Sequence, residues 1–581
     1  MKKYLPVLIA TGLSLTGCAD LLKPEVENLP GKEAMYKEVT FAQGFLLNGY
    51  TRLPGLSFND VATDDAVSND KNNAFQKVAT GQWTANFNPA DQWVNSMAAI
   101  QYLNTMLAEV DKVTWAIDPK AAQMFKDRIK GEAYGLRAFY MFQLLRAHGG
   151  WSAGGELLGV PILTKPQDTN SDFNQPRATF EACMQQFYSD IKQAETLLPL
   201  DYEDVSTAGQ VPSQYAGISP EEYTRVFGQY SRLRLTARIA KAIRAQAALL
   251  AASPAYKIGT TTTWADAANY AGDVLKLVGG PDRLAANGGT WYDNRTEINS
   301  LGAGINPPEI LWRGDASNSR NLEEDNYPPS LFGRGRVNPT QNLVDAFPMA
   351  NGYPITASAS AYSAQAPYTN RDPRLQRYVV TNGSTMGPSN TVIRTETGAG
   401  NDAVNQIETS TRTGYYLRKL LRADVNLNPI GANEQRHYTA RIRYTEIFLI
   451  YAEAANEAWG PDGQGTFGFS ARDVIRAIRK RAGIGTTNND AYLTSVQSQA
   501  EMRQLIRNER RLELCFEGFR FWDLRRWSEK LTETANGIQI TNGNYVVIPV
   551  ENRAFAAHMN HGPIPYGEML KWKALVQNKG W

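Results

Sequence analysis

The strongest constraint on this chain is a recurring spacing of three and four residues between apolar side chains. Within residues 121–148, Phe125, Ile129, Ala133, Leu136, Tyr140 and Leu144 form one stripe, spaced four, four, three, four and four apart. That is the period of an amphipathic helix. Residues 178–198 repeat the pattern between Pro176 and Pro199, with Thr179 as N-cap. Residues 234–252 are Ala-rich and end at Ser253-Pro254; Trp264 to Leu277 form a shorter helix. Residues 439–459 place Tyr444, Phe448, Tyr451 and Ala455 on one face, and 470–482 and 499–516 follow suit. Helices in pairs, joined by loops and with small residues at the contacts, predict a mainly α, tetratricopeptide-like stack.

Between about 279 and 435 the periodicity gives way to Gly, Asn, Pro, Ser and Thr, with Pro307-Pro308 and Pro328-Pro329. A loop-rich insertion on a rigid helical scaffold is where binding function concentrates. Residues 53–91 form a second loop-rich segment, rich in Asp and Asn.

Familiar chemical signatures are absent from the sequence. It has no Walker loop, dinucleotide fingerprint or HExxH zinc motif. His558 and His561 form an H-x-x-H without further clustered ligands, so no metal site is expected there. No cofactor is expected; the only cation chemistry on offer is a structural Ca²⁺ on the oxygens of Asn59-Asp60, Asp64-Asp65 and Asn69-Asp70, which lack the ordered spacing of a calcium loop. A glycosidase needs two facing carboxylates, and nothing in the sequence points to such a pair. A net charge of +2 argues against a nucleic-acid partner. The basic and aromatic segment Glu509 to Trp527 carries acids three residues from arginines, Glu517 with Arg520 and Asp523 with Arg526, which predicts intrahelical pairs within a structural network. Cys183 and Cys515 have no spacing pattern and are expected to be buried and free.

Lys2 and Lys3 precede a short apolar run, Leu5 to Leu15, too short to span a bilayer. It ends in Leu15-Thr16-Gly17-Cys18, which resembles a bacterial lipobox. Residues 1–17 are therefore expected to be a lipoprotein signal peptide, Cys18 the lipidated residue, and Ala19 to Glu27 a polar tether.

Five ordered blocks carry a wider resemblance. They are Gly131 to Tyr140 with His148-Gly149-Gly150 and Gly159-Val160-Pro161-Ile162; Asn338-Pro339-Thr340 with Leu343 to Phe347 and Asn351-Gly352; Arg371-Asp372-Pro373-Arg374; Arg443 to Ile447 with Tyr451 to Glu457 and Arg479 to Gly483; and Glu509 to Trp527. Together they resemble the SusD/RagB family of Bacteroidota surface lipoproteins along nearly the whole of the chain after Cys18. The resemblance implies a single SusD-like unit over 18–581, with an N-terminal region of about 33–278 and a C-terminal region of about 279–581. It also implies a non-enzymatic lipoprotein anchored to the outer membrane and exposed at the cell surface. Such a protein captures glycan and delivers it to a SusC-type TonB-dependent transporter. The alternatives are a peptide-capturing RagB-like lipoprotein, a surface glycoside hydrolase and a structural tetratricopeptide adaptor.

Family ligand sites lie on loops, and a sugar ring needs an aromatic platform edged by hydrogen-bonding groups. The loop-borne candidates are Trp83, with Asp64 and Asp65 upstream, then Trp291 and Tyr292, and Trp312. Arg371 is a candidate for a bidentate contact to sugar oxygens or for a salt bridge with a nearby acid.

Overall fold

The computed structural model describes residues 32–302 and 304–581. The expected signal peptide, the lipidation of Cys18 and the tether to Glu27 lie outside the described residues. Among the described residues, no helix is long and apolar enough to cross a membrane.

The long helices begin where local chemistry satisfies their free N–H groups. Pro119 opens the Pro119–His148 helix, where its missing N–H costs nothing. Asp118 caps it, accepting the Ala121 N–H at 2.8 Å. Thr179 caps Phe180–Leu197 through the Ala182 N–H at 3.1 Å, as its position predicts. Thr236 caps Ala237–Ala252, so this helix starts slightly later than the Ala-rich pattern suggests. Thr263 with Asp266, Ser470 with Asp473 and Ser498 with Glu501 are reciprocal capping boxes for Trp264–Lys276, Ala471–Ala482 and Gln499–Glu513.

These helices neighbour one another largely in chain order. Val39–Thr51 packs on Trp93–Glu109, then come Pro119–His148, Phe180–Leu197, Ala237–Ala252, Trp264–Lys276 and Tyr444–Trp459. The last also touches Ala471–Ala482 and Gln499–Glu513. This is the mainly helical, tetratricopeptide-like stack that the periodicity predicts. Small residues permit it: Ala240, Ala242, Ala245, Ala247 and Ala248 are fully buried between neighbouring helices. Gly131 sits mid-helix because a Cβ there would fall 2.6 Å from Leu198 Cγ.

One boundary differs from expectation. Residues 439–443 do not start a helix; Ala440–Arg443 is a strand paired antiparallel with Ile310–Arg313, and the helix runs from Tyr444 to Trp459. Backbone pairing with a distant segment overrides the local period.

The loop-rich insertion has a core of its own. Trp291, Tyr327, Leu375, Tyr378, Tyr415 and Tyr416 are buried in a cluster apart from the helical core. Short antiparallel strand pairs organise it. The N-terminal loop segment joins it through Ala66–Ser68 paired with Val337–Pro339. A hairpin, Ala535–Thr541 with Asn544–Glu551, adds Ile538 and Ile540. It turns at Asn542 and Gly543, whose φ values of 51° and 76° suit a tight two-residue turn.

Buried ion pairs stitch the two cores together. Arg374 of the insertion contacts Asp372 at 2.7 Å, Glu509 at 2.9 Å and Glu513 at 3.1 Å. Arg479 holds Asp490 at 2.7 Å and Glu509 at 2.8 Å, and Arg443 holds Glu309 at 2.8 Å and Glu517 at 2.7 Å. A buried charge needs several partners to offset its desolvation, and each of these has them. Asp523 and Arg526 pair at 2.8 Å, as their spacing predicts. Glu517 and Arg520 do not. The backbone turns left-handed at Phe516 (φ 63°) and Gly518 (φ 80°), which ends the helix before the pair can form. Glu517 instead meets Arg443 and Lys419, each at 2.7 Å, and Arg520 meets Asp64 at 2.9 Å. Cys183 and Cys515 are free and buried.

Candidate functional site

A cavity of ≈ 400 Å³ opens on the seam between helical scaffold and insertion. Its size lies within the range of small-molecule sites. One helix face supplies much of its floor: Phe139, Phe142, Gln143 and Arg146 recur at helical spacing along Pro119–His148. Gln246 of Ala237–Ala252 and Glu446 of Tyr444–Trp459 complete that floor. The insertion and its flanks contribute Trp291, Tyr292 and Tyr438, and the segment after Gln499–Glu513 contributes Phe519 and Trp522. Aromatic faces therefore line much of the space.

The polar groups among them are incompletely paired. Glu446 Oε1 accepts from Gln246 Nε2 at 2.7 Å, while the buried Oε2 has no partner. Burial pushes the Glu446 carboxyl up to about 7, against the pull of Arg510, Arg443 and Arg146. Arg146 lies over the Trp522 ring at 4.6 Å and the Phe142 ring at 5.3 Å. Its Nη2 donates to Gln143 Oε1 at 2.6 Å, while Nε is buried without a partner. Burial brings this guanidinium down to about 10, so it remains cationic at neutral pH. Trp291 Nε1 and Asn59 Oδ1 are also buried and unpartnered. Donors and acceptors set among aromatic rings suit a ligand with apolar faces and polar edges. A buried polar group without a partner costs about 1–3 kcal/mol, which a bound ligand could offset.

Glu517 also lines the cavity, but Lys419 and Arg443 hold its Oε1 at 2.7 Å and 2.8 Å, and Arg443 holds its Oε2 at 2.7 Å. Neither oxygen is free to act as nucleophile or base.

The residues expected to bind ligand divide unequally. Trp291 and Tyr292 line the cavity, buried rather than displayed on a loop. Trp83 is only 4% exposed. It is wedged between Trp581 at 4.9 Å and Phe521 at 5.8 Å, beneath the Arg525 guanidinium, with Nε1 donating to Asn88. An exposed platform at Trp83 is thus corrected to a core anchor. Asp64 and Asp65 are also buried, held by Arg511 at 2.9 Å and 2.6 Å, with Arg520 on Asp64 as well. They pair with those arginines rather than standing exposed on a loop. Trp312 is fully buried, its Nε1 donating to the Leu233 carbonyl at 2.9 Å. Arg371 forms no salt bridge among the described residues; it donates to the carbonyls of Pro367, Val344 and Phe347 and fixes the insertion's backbone.

Among the described residues, no three His, Cys, Asp or Glu side chains come together in a way that could hold a metal ion. Asp60 Oδ1 accepts the Phe516 N–H at 3.2 Å, and Asp70 accepts the Asn72 N–H at 2.9 Å. His561 is half-buried, and desolvation brings it down to about 4; His558 packs against Trp581.

The family model described as "SusD family" matches residues 308–581, and the one described as "Starch-binding associating with outer membrane" matches residues 49–219. SusD-like protein P38 of Formosa agariphila is 23% identical over 566 residues, covering 94% of each chain. A SusD-like protein of Bacteroides fragilis superposes with TM-score 0.70 at 21% identity, covering 95% of this chain and 99% of that one. A SusD-like carbohydrate binding protein of the same species superposes with TM-score 0.66 at 21% identity, covering 93% and 99%. With both halves matched and the fold shared end to end, the chain belongs to the SusD/RagB family.

Proposed function

We propose that this protein captures glycan at the outer surface of the outer membrane, held there by lipid on Cys18, and passes it to a SusC-type TonB-dependent transporter without cleaving it. The observation that carries the reading is the aromatic-walled cavity with its unpartnered polar groups, set in a chain of this family. The carbohydrate binding named for one structural relative supports the ligand class. The description of the N-terminal family model, which includes association with the outer membrane, supports the location, and Leu15 to Cys18 supply the chemistry of the anchor. The engagement of both Glu517 oxygens supports binding without hydrolysis.

The test is calorimetry of the full chain carrying Cys18→Ala against a panel of oligosaccharides and, alongside, short peptides. Binding to an oligosaccharide is expected, weakened about tenfold or more by Trp522→Ala, which removes a half-buried wall of the cavity. No new reducing ends are expected on prolonged incubation. Binding of peptides alone, or release of reducing ends, would overturn the reading.

A further inference from the structure

Seven acidic or basic side chains line the cavity besides its tyrosines: Arg146, Arg441, Arg443, His437, Asp315, Glu446 and Glu517. Three of them are neutralised by direct ion pairs. Arg443 is held by Glu309 and Glu517, Glu517 in turn by Lys419, and His437 by Glu323 at 3.1 Å. Arg146 and Arg441 are different. Neither has a carboxylate within ion-pair distance among the described residues. Arg146 donates only to Gln143 Oε1, and Arg441 to the Pro54 carbonyl at 3.0 Å. Both are held in place by aromatic rings, Arg146 over Trp522 and Arg441 over Trp312 at 5.6 Å. Burial disfavours the charge on each. The nearby acids act only from a distance: Glu446 and Asp523 favour the charge on Arg146 without pairing with it. Glu446 bonds Gln246 and is largely protonated below neutral pH, and Asp315 sits on the exposed rim, its carboxylate accepting the Ala316 N–H at 2.8 Å.

Resting on the glycan reading above, we propose that the cavity selects an acidic sugar, with Arg146 and Arg441 receiving an oxyanion carried on the ring. Guanidinium groups pair with carboxylate and sulfate oxygens through strong, directional hydrogen bonds, and more so where water is excluded. A half-buried cation without a direct ion-pair partner is costly, and an anionic ligand supplies that partner. The aromatic walls would take the apolar ring faces. The oxyanion could be a uronate carboxylate or a sulfate ester, which share this chemistry.

The experiment compares charged sugars with uncharged counterparts of the same ring, on the full chain carrying Cys18→Ala, at pH 6 and low salt. One arm uses trigalacturonate against its methyl ester; the other uses sulfated galactotriose against galactotriose. At least one charged member should bind about tenfold or more tightly than its uncharged counterpart, and added salt should erode the difference. The double variant Arg146→Met with Arg441→Met should abolish the preference while its melting curve shows a folded protein. Single variants at each arginine, each reducing the preference, provide the check if the double variant fails to fold. Equal affinity for charged and uncharged members, or a preference that survives in folded variants, would overturn the proposal and leave glycan capture standing. Failure of every sugar to bind would remove both readings together.

Discussion

Glu446 reveals how far a side chain's chemistry can depart from what its letter suggests. It lies in the block Arg443 to Ile447, which marks the family, yet nothing in that block says whether the carboxylate faces solvent, an arginine or a cavity. Gln246 and Arg146 approach it from other helices, Arg443 from the strand before its own helix and Arg510 from Gln499–Glu513. Burial outweighs all three arginines and pushes the carboxyl from 4.5 up to about 7. Because the folded value lies above the unfolded one, the protein keeps full stability below about pH 4.5 on this account and loses it as pH rises through about 7. The difference corresponds to about 3 kcal/mol. Glu446→Gln keeps an oxygen for Gln246 and cannot ionise. Denaturant unfolding is therefore expected to show the variant more stable than the parent at pH 8, by up to about 3 kcal/mol, with no gain at pH 4. Equal stability of the two at pH 8 would count against a buried, ionising Glu446. The same blindness explains Trp83 and Trp312: aromatic residues outside the long helical patterns read as platforms, but their burial depends on partners far away in the sequence, such as Trp581 and Leu233.

At the scale of elements, what was legible is what is local. Thr179 and the stripe along Pro119–His148 rest on contacts within four residues, and the structure places them as the spacing predicts. Val39–Thr51 and Trp93–Glu109 were not expected: the first carries Gly44, Gly49 and several aromatic or β-branched residues, the second Asn, Ser and Thr, which blur a helical pattern. The Asn542-Gly543 pair is a local hairpin signal of the same kind, and the turn lies there. Gly131 shows packing overriding propensity. Alanine is favoured over glycine in a helix by about 1 kcal/mol. Yet its Cβ would fall 2.6 Å from Leu198 Cγ and 3.1 Å from Leu197 Cβ, forcing the neighbouring helix end to move. Gly131→Ala is therefore expected to lower the denaturation midpoint, costing about 1–3 kcal/mol, where an isolated helix would gain. A raised midpoint would mean that the helix end gives way freely.

On the scale of the whole molecule, two cores meet along a seam of buried charge, and the cavity lies on that seam. No local pattern reveals it, because its partners are distant in the sequence: Glu309 with Arg443, Arg374 with Glu513, Asp64 with Arg520. Burial alone would raise the carboxylates here. At Glu513 it is outweighed by Arg481, Arg443, Arg374 and Lys419, which pull the group down to about 2, and Arg443 and Lys419 likewise hold Glu517 below its ordinary range. The sign is opposite to that at Glu446. Folded values below the unfolded one give stability that is complete above about pH 4.5 and is lost as pH falls towards about 2. Protonating Glu513 also strands Arg374 and Arg481 without full partners, so the loss falls on the junction rather than inside either core. Urea unfolding followed at pH 5, 4 and 3 should therefore show a steep fall in midpoint. In Glu513→Gln the fall should be shallower, starting from a protein already weakened by about 3–5 kcal/mol at pH 5. Equal steepness in parent and variant would place the acid sensitivity elsewhere than the seam.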